Sequence, residues 1–388
     1  MRTLSERSNG KENLGSRRLK ILSIQLRSLG DAVVSIPALM AIREHFPNCE
    51  LHALVTSAAA PLLRNHPVLD RVWELERTRG KMGLKQTLAM LRALRAERFD
   101  RLVDIGGDDR SAIFSFLCGV RERLGVVNAR GFLGRRFCYT HTVTASSRDR
   151  HETLRLLDIL RPWGISPPEK IELQLYPEIG VTFFVPRDGS RRLVICHAGA
   201  GSKKKMWPAT HWAQLYRLAV AQGYELVFTR GVTRRDEEFM ERLQQLAPEI
   251  RILPLLDLPR LLVALKSADA VISNDTGPMH FAASLGVKTV AIFGPSPPER
   301  WSPVGPAVRI LKAQDCICQR YTHECRRPDN FCMIDIAPET VLQNLNSLFS
   351  EQTGPTRNSE LGTRKPGTAD ACSADLSRRS PTEAEAGP

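Results

Sequence analysis

The chain has 388 residues, 42% of them apolar and 25% charged, and a formal net charge of +13. That apolar fraction excludes a disordered or fibrous chain and supplies core material for two domains. The positive charge suits nucleic acid, anionic lipid or a phosphorylated substrate, and charge alone does not choose among them. The nine cysteines are odd in number and scattered. With no apolar h-region near the N-terminus and no apolar run long enough to cross a bilayer, they lead us to expect a reducing, cytoplasmic setting.

Residues 1–18 read as a polar, basic, disordered tail. Beyond them short apolar runs alternate with helical patterns. Strands are predicted at 20–26, 50–56, 71–75, 100–107 and 123–127. A helix is predicted over 31–46, with Pro37 inside its pattern, and another over 84–99. A stretch rich in Pro, Gly and charge, 175–192, follows. Then the alternation resumes, with strands at 192–199, 224–231, 250–254, 269–274 and 288–294 and helical patterns between them. Strands joined by crossover helices form parallel sheets covered on both faces. The expectation is therefore an α/β protein of two doubly wound, Rossmann-like domains, 19–180 and 181–337, with a last helix over 338–350. The final stretch, 351–388, is rich in Gly, Pro, Ser and Thr and reads as a disordered tail. A ligand belongs beyond the carboxyl ends of the strands.

Three strand-to-helix junctions carry chemistry. In "QLRSLGDAVVSIPAL" (25–39), Gly30 permits close approach of backbone to a ligand, and Asp31 stands where the helix is expected to start. Asp is also a favoured N-cap, and the residues alone leave both roles open. In "CHAGAGSKKKMWPATHW" (196–212), small residues expose backbone N–H groups and lysines supply cations, a combination that cradles phosphate; a solvated basic turn reads the same way. In "SNDTGPMHFAASLG" (273–286), Asp275 and Thr276 leave a strand, Gly277 opens a helix, and His280 lies one turn in. The N–H groups of such a helix start attract an anion. The loop "FGPSPPERWSPVG" (293–305) reads as a rigid rim of the cleft.

Together with "CMIDIAPETVLQNL" (332–345), these blocks resemble glycosyltransferase family 9, the lipopolysaccharide core heptosyltransferases, over roughly residues 19–349. The resemblance implies the GT-B fold, in which two Rossmann-like domains face each other across a cleft and the C-terminal helix returns to the first domain. It implies transfer of heptose from ADP-heptose with inversion, with neither metal nor other cofactor. The acceptor is a phosphorylated, lipid-linked core sugar at the inner leaflet. Asp31 matches the family's general base and Lys205 its phosphate-binding lysine. Asp275, Thr276, Gly277 and His280 match its donor element, with Gly30 beside them, and Asp236 is a candidate ribose contact.

On the acceptor side, the basic sets along 77–101 and 121–136 suit acceptor phosphates and anionic lipid headgroups, with Arg92, Arg95, Arg121 and Arg123 as candidates; a solvated helix face is the plainer reading. No aromatic-basic platform of the nucleic-acid-binding kinds is present, so no nucleic-acid partner is expected. The expected enzyme is a monomer, peripheral to the inner membrane. Cys316, Cys318, Cys325 and Cys332 lack paired zinc-ribbon spacing and read as reduced thiols. Two rival readings stand beside heptosyl transfer: a family 9 enzyme with another nucleotide sugar, and a catalytically silent GT-B binding protein.

Overall fold

The computed structural model describes residues 17–76, 83–127, 131–144, 150–313 and 332–350. Residues 1–16 of the first expected tail, the whole of the second, Arg77, Arg79, Lys81, Arg130, Cys316, Cys318 and Cys325 lie outside the described residues; Arg17 and Arg18, expected in the tail, are placed, with Arg17 paired to Asp100 at 3.0 Å.

The first lobe runs β1 (Lys20–Gln25), α1 (Leu29–Val34), α2 (Ile36–His45), β2 (Glu50–Thr56), β3 (Arg71–Leu75), α3 (Leu84–Ala96), β4 (Arg101–Asp104), α4 (Asp109–Leu117), β5 (Glu122–Val127), β6 (His141–Thr144) and α5 (Glu152–Leu157). Residues 165–191 contain neither helix nor strand. The second lobe runs β7 (Arg192–His197), α6 (Ala209–Ala221), β8 (Tyr224–Thr229), α7 (Arg234–Leu246), β9 (Arg251–Ile252), α8 (Leu258–Ser267), β10 (Ala270–Asn274), α9 (Gly277–Ser284), β11 (Lys288–Phe293), α10 (Pro298–Trp301), β12 (Val308–Lys312) and α11 (Pro338–Ser350).

Among the described residues each lobe holds one six-stranded sheet, ordered β3-β2-β1-β4-β5-β6 in the first and β12-β11-β10-β7-β8-β9 in the second. Every strand pair is parallel. Counted within its own lobe, each sheet has the doubly wound order 3-2-1-4-5-6. The order reverses between β1 and β4, and again between β7 and β10; crevices open at those switch points, at the carboxyl ends. The central strands are buried along nearly their whole length, as strands covered by helices on both faces must be. One apolar cluster crosses the lobe boundary: Val33 and Ile36 share it with Leu262, Phe281 and Ala282, and α1 packs directly against α9.

Three features depart from the sequence reading. The expected helix over 31–46 is two helices: Ser35 closes α1 and precedes α2, with Pro37 in the first turn of α2, where its missing N–H costs nothing. Strands β6 and β12 were not expected; both are edge strands, and β6 is largely exposed, so neither has a long apolar run. The C-terminal helix does not return to the first lobe. It packs on α6, β11 and β12, because Val341, Leu342, Leu345 and Leu348 form one apolar stripe that enters the core around Trp207 and Trp212. Gln214 Nε2 donates to Glu339 at 2.7 Å, and Trp207 Nε1 to the Ile336 carbonyl at 3.0 Å, on the same side.

Candidate active site

The first-lobe part of the site is built on one helix start. β1 ends at Gln25 and α1 begins at Leu29, two residues earlier than the sequence suggested. Ser28 is the N-cap, which makes Asp31 the third helical residue rather than the cap. The two form a capping box: the Ser28 hydroxyl donates to Asp31 Oδ2 at 2.6 Å, the Ser28 N–H donates to the same oxygen at 3.2 Å, and Asp31 N–H donates back to Ser28 Oγ at 3.4 Å. Arg27 Nη1 stands 3.5 Å from Asp31 Oδ1. The carboxylate is thus buried, oriented, and close to the first-lobe switch point. Beside it lies a cavity of about 340 Å3, walled by Arg27, Ser28 and Leu29 on one side and by Thr56, Ser57, Ala58 and Glu76 on the other. Gly30 is not in a loop. It lies inside α1, and a Cβ placed there would meet His280 Cδ2 at 3.7 Å, an ordinary contact, so its closeness is to the other lobe.

The second-lobe part assembles around Asn274, which sequence reading passed over. Its side chain is fully buried; Nδ2 donates to the Ala198 carbonyl at 2.7 Å, and Oδ1 accepts from Trp207 N–H at 3.3 Å. It therefore ties the end of β10 to both ends of the loop that carries Lys205. Lys205 Nζ reaches Asp275 Oδ2 at 2.8 Å, with the lysine partly exposed and the aspartate buried. Thr276 caps α9 with extended backbone, and its side chain makes no capping bond. Met279 N–H donates to the Thr276 carbonyl and Pro278 has none to give, so the N–H groups of Thr276 and Gly277, without a partner among the described residues, stand beside a reachable ammonium, an arrangement that receives an anion. His280 lies buried one turn further on, its Nδ1 without a hydrogen-bond partner among the described residues. Lys205, Asp275, Thr276, Gly277 and His280 come together as expected, and Asp31 joins them through the α1–α9 contact.

Burial lowers His280 to about 4, against the pull of Asp275 and with help from His151 and Lys205. The ring is therefore neutral at pH 7. His197, buried at the end of β7 and bonded through Nδ1 to Thr229 Oγ1 at 2.9 Å, is likewise lowered to about 4 by burial. Unfolded histidine binds its proton near pH 6.5, so the stability these neutral rings contribute is present above that pH and is lost as pH falls toward 4. Each ring adds the pH slope of one bound proton over that window. Asp104, pushed up to about 6 by burial against bonds from Tyr139, Gly107 and Ser111, opposes one of them over the lower part. Replacing His280 with Asn is expected to remove one proton from the slope; urea midpoints measured between pH 4.5 and 6.5 check it.

Asp236, the candidate ribose contact, is buried. It closes a capping box on α7: the Thr233 hydroxyl donates to Oδ2 at 2.6 Å, and Thr233 N–H to the same oxygen at 3.2 Å. Oδ1 is buried without a hydrogen-bond partner among the described residues, pressed against Gly199 and Gly231. A Cβ on Gly231 would stand 2.3 Å from Oδ2. Gly231→Ala is therefore expected to destabilise the protein by about 1–3 kcal/mol through overpacking, read as a lower Tm.

The four acceptor candidates are not brought to the site. Arg92 and Arg95 lie in the second half of α3, and Arg121 and Arg123 lie at the start of β5. In a parallel sheet all carboxyl ends share one edge, and a crossover helix runs back to the other. These arginines therefore belong to the edge opposite Asp31. Arg95 and Arg121 border a separate cavity of about 720 Å3 with Arg17 and Arg98. Arg123 is committed to backbone, donating to the Cys138 carbonyl at 2.8 Å and the Val120 carbonyl at 2.5 Å.

The rim after β11 does reach the first lobe. Arg300 Nε donates to Glu152 Oε2 at 2.8 Å, and His151 Nε2 meets the Ser302 carbonyl at 2.8 Å. Burial works against charge on Glu152, but Arg300 and Arg155 hold its carboxyl below the usual range. This pairing fixes one lobe against the other beside the site.

The family model described as glycosyltransferase family 9 (heptosyltransferase) matches residues 87–331. The chain belongs to glycosyltransferase family 9. Among relatives, lipopolysaccharide heptosyltransferase 1 of Campylobacter coli is 25% identical over 86% of this chain and all of its own length. Lipopolysaccharide heptosyltransferase 2 of Escherichia coli K12 is 23% identical over 86% of this chain and 99% of its own. The solved structure of the Escherichia coli heptosyltransferase WaaC with ADP aligns with a TM-score of 0.66 at 20% identity, covering 85% of this chain and all of that one. The family 9 chain thus has the GT-B fold: two Rossmann-like lobes facing across a cleft.

Proposed function

We propose that this family 9 glycosyltransferase is an inverting heptosyltransferase that moves heptose from ADP-heptose to a phosphorylated, lipid-linked inner-core acceptor of lipopolysaccharide. It would work as a monomer at the cytoplasmic face of the membrane. The observation that carries the reading is the packing of α1, which holds an oriented carboxylate, directly against α9, whose open helix start stands beside Lys205. The acceptor sugar takes the cavity between Ser28 and Ser57. Asp31 accepts the proton of the attacking hydroxyl as it closes on the anomeric carbon from the face opposite the diphosphate. The leaving diphosphate gathers charge, and the Lys205 ammonium and the N–H groups at Thr276 and Gly277 stabilise it. Neutral His280 buttresses that helix start without adding charge. This assigns charge neutralisation to the chain itself, with no metal or other cofactor required. Asp236, whose Oδ1 has no partner among the described residues, would meet the donor ribose only after a local shift.

The relatives' names support heptose and the lipopolysaccharide core, and one solved relative holds ADP-2-deoxy-2-fluoro heptose. Purified protein incubated with ADP-heptose and truncated core acceptors is expected to add one heptose to the acceptor mass, and to do so equally after EDTA treatment. Transfer only from a different nucleotide sugar, no transfer from any, or strict dependence on added metal would each overturn the corresponding part of the reading.

A further inference from the structure

We propose that the outer face of α4 and the turn before β6 form a docking surface for an anionic bilayer, resting on the reading that the acceptor is lipid-linked. Five large apolar side chains project there into solvent: Ile113 and Phe116 from α4, and Phe132, Leu133 and Phe137 from the turn. Leu133 is fully exposed and Phe137 is 72% exposed. Ile113 and Phe116 are three residues apart and so share one helix face. Gly134, at a φ of +97°, makes the bend between Leu133 and the 3-10 turn Arg135–Cys138. The two elements pack on each other. Arg123 joins them, with its guanidinium 5.8 Å from the Phe116 ring and its Nε bonded to the Cys138 carbonyl. The face is therefore one surface rather than scattered exposed residues.

Its charge suits anionic headgroups. Arg110 and Arg136 are exposed on it, and the Arg136 guanidinium stands 5.5 Å from the Phe137 ring. Of the neighbouring carboxylates, Asp109 pairs with Arg135 at 3.4 Å, Glu122 pairs with Arg101 at 2.9 Å, and Asp108 caps α4 by accepting from Ser111 N–H at 2.8 Å. Aromatic and leucine side chains beside arginines are the composition that enters the headgroup region, with rings buried and guanidiniums at phosphates. The face begins where α4 leaves the carboxyl end of β4 and runs back along the first lobe to Arg123 at the amino end of β5. A bilayer held here meets the lobe that carries Asp31.

The test uses the full chain and vesicles of phosphatidylcholine with 30% phosphatidylglycerol, followed by sedimentation. Wild-type protein is expected to bind these and to bind pure phosphatidylcholine vesicles weakly. The double variant Leu133→Glu/Phe137→Glu is expected to lose at least about tenfold in partitioning, with unchanged Tm and unchanged binding of ADP. Arg136→Glu, which leaves the apolar residues in place, is expected to weaken binding to the anionic vesicles selectively. Equal partitioning of wild type and double variant overturns the proposal. So does self-association of wild type, seen by light scattering and abolished in the double variant, without vesicle binding, since a second copy would then be the occupant. Vesicle binding needs no sugar transfer, so failure of the heptosyl reading would show in the product masses and leave this result separate.

Discussion

Asp31→Ala is expected to lower turnover at saturating donor by at least about a hundredfold, the scale of losing a positioned general base, while affinity for ADP-sugar stays within a few-fold. The split follows from the architecture. Asp31 belongs to the first lobe, and Lys205, Thr276 and Gly277, the groups proposed to receive the diphosphate, belong to the second. The variant also loses its half of the capping box, so a fall in Tm alone says nothing about catalysis. Asp31→Asn separates the effects: the amide oxygen still accepts from Ser28, but the side chain no longer takes up a proton. It should keep most of the stability and as little activity as the alanine variant. Initial rates together with calorimetric titration of donor provide the check. Full activity in Asp31→Asn would remove the base from the mechanism.

Lys205→Ala should weaken donor binding by about ten- to a hundredfold, since a hydrogen bond to a charged group is worth about 1.5–3 kcal/mol. The same change strands Asp275, which is buried and pairs with Lys205 at 2.8 Å. Breaking a fully buried pair costs about 3–5 kcal/mol; here the lysine is partly open to water, so the loss should be smaller. Adding Asp275→Asn to Lys205→Ala removes the stranded charge. Tm is expected to recover while donor affinity stays low. Recovery of both together would mean that the lysine serves only to neutralise the aspartate.

The junctions most legible in the sequence were those where a buried strand runs straight into a helix. β2 and β3 lie where the apolar runs placed them, and the Asp275–His280 segment comes off β10 as read, because parallel buried strands leave long apolar signatures and Gly-Pro marks a helix start. The helix start at Leu29 was missed since Ser28 and Asp31 are both good capping residues, and only the backbone shows which of them caps. Edge strands β6 and β12 lack an apolar run. The docking side of α11 is decided by which groove fits its stripe, a tertiary matter. Arg92, Arg95, Arg121 and Arg123 looked like acceptor ligands because charge is visible in a sequence and sheet edge is not. Asn274 was overlooked since a buried asparagine at a strand end looks like the start of a loop until its two backbone partners are seen.

The central claim is that one ligand is shared between a first-lobe carboxylate and a second-lobe anion site. A crystal structure with ADP-heptose bound tests it most directly. The diphosphate should lie against Lys205 and the N–H groups of Thr276 and Gly277, with the anomeric carbon of the sugar turned across the cleft toward Asp31. A nucleotide seated elsewhere, or a sugar pointing away from α1, would contradict it.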